Sequence, residues 1–562
     1  LLWRLSMVSL SSPVFSLAAV PFKPEHTGEF GLYQCLLLLT MGPFYMFGIY
    51  TYYSQLFITE VSPNHWCWIP ELGHLTDIER RNLAIPSDDS SYGYSRCTAY
   101  VVNWTDVLQT EQVPDATWET VPCQYGWEFN STEIPYPTIS SELGWVCDKD
   151  SYQAIAQSLF SIGAIIGCLI FGWMADRFGR IPAVVCSNLL GFIGGFSSSF
   201  TNNFVQFTVC RFIMGMAYDT NMVMVYVLVL EYISPKYRSL MSNVTFAVFY
   251  CLFLTSLPFI ALALGHWKWI AMFTSAPLAL AIFTPLFIPE SPRWLLSKGR
   301  VDEAIQKVLM IGRINKKTVP PKLIEQFRWS MQTAEEEDNL SIISVFKIPI
   351  LRKVLILISV EYMCCNLVFD GLLRNIGSLD YDFFISFALM SVTELPSMFL
   401  LAFVFDFLGR RWLTTIVMSV CTVFTFLTLF AGSGLQSVLF IVVARFAVNM
   451  TYGAILQWTA EVFLTVVRGS GVAFVHICGF IAFVISPYIV ILNKYAYWLP
   501  LTVIGCIGLL GSVLPLFLPE TAKKEMPHTF EDAEELMRRQ QFCEMPCLTK
   551  RSKDPVTKNV VE

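Results

Sequence analysis

Four carboxylates, Asp219, Glu361, Asp370 and Glu394, lie in stretches that otherwise carry almost no charge, and His476 is the one imidazole at the same depth. An ionisable side chain inside a long apolar stretch is costly, so it is either paired with another group or kept for function. The opposing bases, Arg211 and Arg445, sit near the ends of their stretches, and no Lys is found at this depth. The interior is therefore net acidic, which suits a cationic or zwitterionic amine. Asp370 follows Asn366 by four residues and Phe369 follows Tyr362 by seven, which puts each pair on one helix face. Tyr362, Phe369 and Phe480 can offer aromatic faces to an ammonium group, each worth about 0.5–2 kcal/mol. These residues, with Asp219 and Glu394, are the candidate substrate-binding set. Each also has a plainer reading. Glu394 can be structural or coupling, Asp219 can pair with a neighbouring helix, Glu361 can face away from any pocket, and His476 can be a hydrogen-bonded packing residue. There is no nucleophile–base pair, metal cluster or phosphate loop, so the sequence implies no enzyme, cofactor or metal.

The elements that must position these groups are membrane helices. The chain has 562 residues, 54% hydrophobic and only 15% charged, against about 25% charged for soluble domains. Residues 31–59, 151–175, 181–210, 239–265, 269–289, 412–444, 469–493 and 495–519 contain no Asp, Glu, Lys or Arg. Each is long enough to cross a bilayer, which needs about 20 residues. The 412–444 run holds Gly-Ser-Gly at 432–434 and covers helix nine and the start of helix ten. Segments 212–230, 354–373, 383–405 and 446–460 complete a set of twelve. Soluble helices would show a polar face, and these do not. Residues 1–30 are an N-terminal segment, broken by Pro13, Pro21 and Pro24, to which no function is assigned. The net charge of −6 gives no reason to expect nucleic acid as a partner. The expected partners are a small organic solute, the lipid bilayer and, if transport is coupled, an ion.

Basic residues orient the chain. Arg177, Arg180, Lys236, Arg238, Arg410, Arg411 and Arg468 follow even-numbered helices, whereas odd-numbered helices are followed by Lys268, Arg374 and Lys494. Both termini and the basic 290–353 loop are therefore expected inside, and the 60–150 loop outside. That loop holds Cys67, Cys97, Cys123 and Cys147. In an oxidising compartment they imply two disulfides, with three possible connectivities. It also holds glycosylation sequons at Asn103 and Asn130, whereas those at Asn243, Asn339 and Asn449 fall at membrane depth or inside. The protein is expected to be a multi-pass plasma-membrane protein.

The chain also repeats itself. Asp176-Arg-Phe-Gly179-Arg180 returns as Asp406-Phe-Leu-Gly409-Arg410, 230 residues later, and Glu231, Arg238 and Glu290 return at the same offset as Glu461, Arg468 and Glu520. Arg211 and Arg445 open helices four and ten. The expected fold is an all-α membrane protein of two pseudo-symmetric six-helix halves, 31–289 and 354–519, joined by the 290–353 loop and followed by a 520–562 tail. Two parallel halves imply a binding site between them at mid-membrane. Asp176, Arg177, Arg180, Arg211, Glu231, Arg238, Glu290, Arg293, Asp406, Arg410, Arg445, Glu461, Arg468 and Glu520 are read as gating residues that bridge helices when the inner side is shut. Inside loops need no gate to explain their arginines, but that rule leaves the matched carboxylates unexplained.

Gly172-Trp-Met-Ala-Asp176-Arg-Phe-Gly-Arg180 resembles the loop signature of the major facilitator superfamily, and Glu290-Ser-Pro-Arg293-Trp-Leu its mark after helix six. Gly28-Glu-Phe-Gly-Leu-Tyr-Gln34, the long cysteine-bearing first loop, Thr393-Glu394-Leu-Pro396 and Glu531-Asp-Ala-Glu534-Glu-Leu536 together resemble the organic cation/anion/carnitine transporter family, from about residue 28 to 540. The resemblance implies transport of small organic cations or zwitterions by alternating access. Its alternatives are organic anion exchange or a non-transporting sensor on a carrier scaffold. Cation-transporting members carry an Asp midway along helix eleven and anion or carnitine members an Arg. Phe480 stands there in this chain, so charge selectivity must come from elsewhere.

Overall fold

The computed structural model describes residues 31–522 apart from 61–62, 88–92, 111–113, 116, 131, 133, 234, 318, 334–341, 380, 432–433 and 464–467. The side chains of 110, 230, 235–246, 330–333, 342–344, 378 and 468 are also outside the description. The 1–30 segment, most of the 520–562 tail with its Glu531–Leu536 motif, and the side chains of Arg238, Asn243, Asn339 and Arg468 therefore lie beyond it.

Among the described residues, twelve helices are long and apolar enough to cross a membrane. They are α1 (Leu32–Glu60), α2 (Cys147–Phe178), α3 (Arg180–Ser198), α4 (Phe204–Tyr232), α5 (Pro235–Leu264), α6 (Trp267–Phe287), α7 (Pro349–Arg374), α8 (Phe383–Leu408), α9 (Arg410–Phe430), α10 (Leu435–Val462), α11 (Arg468–Ile491) and α12 (Leu499–Phe517). Large apolar side chains such as Leu286, Phe403 and Phe430 are left exposed around the bundle, as a lipid-facing surface requires. An apolar groove of about 490 Å³ on that surface is lined by the side chains of Leu395, Pro396, Phe399, Leu400 and Phe403.

Helix association in a membrane relies on close packing of small residues. Gly163 and Gly167, a Gly-x-x-x-Gly pair on α2, lie directly against the α4 backbone at Phe212 and Met216, and Gly215 of α4 returns the contact at Phe160. Proline shapes two other helices. Pro396 cannot supply the N–H that would reach Val392 O. Here α8 breaks at Thr393, and the freed carbonyl accepts the Cys251 thiol of α5. Pro487 likewise releases Phe483 O on α11, and Ser161 of α2 donates to it at 3.4 Å. Its neighbour Ser158 donates to Val484 O at 2.8 Å. These two serines tie the first six helices to the last six.

Among the described residues, the fold departs from pure α in one region. Between α1 and α2, β1 (His65–Cys67) pairs antiparallel with β4 (Trp127–Phe129), and β2 (Thr98–Tyr100) with β3 (Thr120–Pro122). Of the three pairings open to four cysteines, the loop adopts Cys67–Cys123 and Cys97–Cys147. Trp66, Leu72, Tyr100 and Trp104 give it a core of its own, and Arg80 stacks on Trp68. The loop docks on the end of α1, where Tyr136 donates to Phe57 O and Ser140 to Thr59 O. At the opposite end of the bundle, the linker between α6 and α7 folds into helices Pro292–Ser297, Val301–Ile314, Pro321–Thr333 and Ile342–Lys347. Its Asn315 accepts from Tyr33 N and donates to Gln34 Oε1, which holds the start of α1.

Candidate functional site

The repeated charges gather at the linker end, and they gather separately in each half. Gly179 and Gly409 both have positive φ, +117° and +82°, a conformation glycine adopts at little cost. Each turn exposes the first N–H groups of the next helix, which lack partners of their own. Glu290 accepts from Arg180 N at 2.9 Å and Ile181 N at 3.1 Å, and Glu520 accepts from Arg410 N at 2.9 Å and Arg411 N at 3.0 Å. Burial raises the Glu290 carboxyl above its ordinary value, and these N–H donors work against that shift. Arg180 pairs with Asp176 at 2.9 Å and Glu231 at 3.4 Å; Arg410 pairs with Asp406 and Glu461, both at 2.8 Å. Tyr232 donates to Pro289 O, and Trp458 to the matching Pro519 O.

The matched carboxylates thus cap α3 and α9 and bind helix ends within a half. They bridge helices as expected of them, and the bridges run inside each half: Arg180 joins Asp176 to Glu231, and Arg410 joins Asp406 to Glu461. Arg177 is exposed beside Trp173. Arg293 is half-buried on the first linker helix.

Arg211 and Arg445 belong elsewhere. Both are fully buried. Arg211 reaches Met214 and Gln157 and stacks on Phe160. Arg445 pairs with Glu394 at 3.0 Å, donates to Phe369 O, and lies 3.6 Å from the Phe369 ring centroid. Glu394 is therefore already compensated. Asp370 is too: Arg374, one turn along α7, pairs with it, and Arg374 also pairs with Glu60 at the end of α1. Tyr52 of α1 donates to Asp370 Oδ1 at 2.7 Å. Asp370, expected among the substrate-binding residues, anchors a network that joins the halves at the disulfide-bearing end. Phe57 extends this closure by packing on Phe383, Phe384 and Phe387 of α8. Glu361 is fully buried, and neither carboxylate oxygen has a hydrogen-bond partner among the described residues.

Asp219 differs from these acids. It lies midway along α4 and meets His476 Nε2 of α11 at 2.8 Å, across the seam between the halves. His476 Nδ1 is 3.3 Å from the Tyr362 hydroxyl, which donates to the Tyr452 hydroxyl at 3.2 Å. Phe480 stands edge-on to His476 and to Tyr218, and Tyr218 stacks on Tyr52. Phe369 stacks on Tyr452. Gly479 lets α11 approach α7, because any side chain there would overlap the Tyr362 ring and Asn366. Asn366 donates to Tyr362 O and is fully buried.

The structure therefore brings Asp219, Tyr362, Asn366, Phe369 and Phe480 to one inter-half seam, with Glu394 one layer away behind Arg445. Sequence reasoning missed Tyr52, Tyr218, Tyr452 and Arg374, and took His476 as packing. Arg374 had a signal, its spacing of four from Asp370.

The family model for sugar (and other) transporters matches residues 96–533. A carcinine transporter of Drosophila melanogaster is 30% identical, with 92% of this chain and 79% of that protein covered. A beta-alanine transporter of the same fly is 29% identical over 91% and 88%, and solute carrier family 22 member 2 of Rattus norvegicus is 27% identical over 92% and 95%. Among solved structures, the partially occluded inward-open xylose transporter XylE of E. coli aligns with TM-score 0.53 at 18% identity, covering 67% of this chain and 90% of that one.

Proposed function

The chain belongs to the sugar (and other) transporter family, in its organic cation/anion/carnitine group within the major facilitator superfamily, and from that membership we propose that it carries small organic cations or zwitterionic amines. It is a multi-pass membrane transporter of small solutes. In this reading the substrate binds at the inter-half seam, and Asp219 rather than Asp370 supplies the negative charge.

One observation carries the reading. Asp219 is the seam carboxylate whose partner is an imidazole and not a guanidinium. A protonated amine entering a dry seam loses its hydration, and a nearby carboxylate must offset that loss. Tyr218, Tyr362, Tyr452 and Phe480 surround the pair with aromatic faces suited to ammonium groups. An acid with several rings favours modest affinity for many amines over tight affinity for one. The relatives named as carcinine, beta-alanine and organic cation transporters support the same substrate class. In the orientation read from the basic loops, the 60–150 loop faces outside and the linker faces inside. The Tyr52–Asp370–Arg374–Glu60 closure is then the outer gate, with any passage leading inward.

An uptake screen with a labelled quaternary amine, carnitine and an anionic probe tests this. The expected result is a preference for the amine, with Asp219→Asn lowering amine uptake more than tenfold at equal surface abundance. A wild type that prefers the anion, or an Asp219→Asn variant that transports the amine normally, overturns the reading.

A further inference from the structure

The Asp219 carboxylate can be balanced in two ways, and the structure displays one of them. His476 belongs to the last six helices and Asp219 to the first six, so their 2.8 Å contact exists only while the seam is closed around them. The His476 side chain is 22% exposed and that of Asp219 6%, so the imidazole has some access to the seam while the carboxylate is sheltered. On its far side, His476 begins a chain of hydroxyls. Nδ1 meets Tyr362, and Tyr362 meets Tyr452, which is half-buried.

That chain can be ordered in two directions. With the imidazole protonated, Nε2–H donates to Asp219, Nδ1–H donates to Tyr362, and Tyr362 donates to Tyr452. With the imidazole neutral, Nε2–H still donates to Asp219, Nδ1 accepts from Tyr362, and Tyr362 accepts from Tyr452. The two states differ by one proton. The Nδ1 proton passes to the Tyr362 oxygen, the Tyr362 proton to the Tyr452 oxygen, and the Tyr452 proton to water. Every acceptor ends with its normal valence.

We propose that Asp219 and His476 form a proton-binding site shared between the two halves, and that an organic cation is carried in exchange for that proton. The proposal rests on the cation reading of the same seam. An ammonium seated on Asp219 would stand beside an imidazolium on the same carboxylate, and like charges disfavour each other. Cation and proton are therefore alternative occupants, which is the condition for exchange rather than cotransport. The groups around the pair leave it this freedom. α2 presents the Cys168 thiol to Asp219, α4 presents Tyr218, α7 presents Tyr362 and α10 presents Tyr452. The one ionisable group of α12 is Cys506, which is exposed on the outer surface. Arg445, the nearest guanidinium on α10, is committed to Glu394.

The test uses purified protein in proteoliposomes, with the membrane potential clamped by potassium and valinomycin. The probe is labelled tetraethylammonium, which has no proton to lose and so cannot be trapped by pH alone. With the lumen one pH unit more acidic than the bath, one-for-one exchange drives the probe inward toward about tenfold accumulation. The reversed gradient drives it out. In His476→Gln the ratio of uptake with and without the gradient should fall to one, whatever the absolute rate. Wild-type uptake that ignores both gradients overturns the exchange while leaving the cation reading in place. Failure to move the probe at all overturns both. The wild-type arm needs no variant, so a poorly folding His476→Gln does not blunt the test.

Discussion

Replacing Tyr52 by Phe removes one oxygen from the closed end of the seam and leaves the ring stack intact. That hydroxyl donates to Asp370 Oδ1 at 2.7 Å and accepts from Arg374 Nη2 at 3.1 Å, with the side chain buried. Tyr52 lies on α1 and Asp370 on α7, so the bond exists only while the halves are together at this end. A hydrogen bond to a charged group contributes about 1.5–3 kcal/mol. Losing it raises the population open at this end by about tenfold to a hundredfold, since each 1.4 kcal/mol is a factor of ten. The readout is a cysteine at Phe57, which is fully buried in the same closure against Phe383, Phe384 and Phe387. Its labelling by an impermeant maleimide scales with the open fraction while that fraction is small. Labelling in the Tyr52→Phe background should rise at least tenfold over Phe57→Cys alone. An unchanged rate would mean that the hydroxyl does not hold the halves together.

Three further outcomes follow from the same geometry. Asp406 is 75% exposed, so Asp406→Asn should cost at most about 1 kcal/mol, whereas Glu520→Gln, which weakens a buried carboxylate accepting three backbone N–H groups, should cost about 2–3 kcal/mol; thermal unfolding in detergent that ranks them the other way refutes the capping role. Burial, with the Arg96 charge, pushes the His65 imidazole down to about 4; because the unfolded loop takes up its proton first, stability present above about pH 6.5 is lost as pH falls toward 4, by about 3 kcal/mol. Limited proteolysis of the loop should accelerate across that window in wild type but not in His65→Phe. Glycosidase should increase gel mobility of the wild type and leave Asn103→Gln/Asn130→Gln unmoved, and a remaining shift in the double variant would place another sequon outside.

Long-range chemistry separates what the sequence reveals from what it hides. The twelve helices are legible because a bilayer demands uninterrupted apolar length, and α9 ends where Gly-Ser-Gly at 432–434 marked it. The repeat is legible because matched charges keep one offset. The role of Glu290 and Glu520 is not, since each caps a helix that begins about 110 residues earlier in the chain. The Asp370–Arg374 pair was legible in their i to i+4 spacing, whereas the bond of Asp370 to Tyr52, 318 residues away, was not. Asp219 and His476 are 257 residues apart on helices of different halves, and no periodicity links them. The disulfide pairing was equally hidden, because loop-closure entropy varies slowly with loop length and separates the three pairings only weakly.

The two kinds of contact also differ in how they tolerate motion. Within each half, α2, α3 and α4 or α8, α9 and α10 are fixed by an arginine shared between two acids and by a carboxylate cap. Breaking buried members of such a cluster costs about 3–5 kcal/mol. Between the halves one ion pair, Arg374–Glu60, joins α7 to α1, and the other polar ties described above are different in kind. Ser158 and Ser161 bond carbonyls at a proline-loosened turn of α11, Tyr52 bonds Asp370, and Asp219 bonds an imidazole. Each can be replaced by water or by a solute when the seam parts, at about 0.5–1.5 kcal/mol for the neutral pairs. The charges repeated in the sequence therefore make two bodies that keep their shape. The unrepeated residues, His476 above all, form the seam along which those bodies separate and the place where a solute can decide when they do.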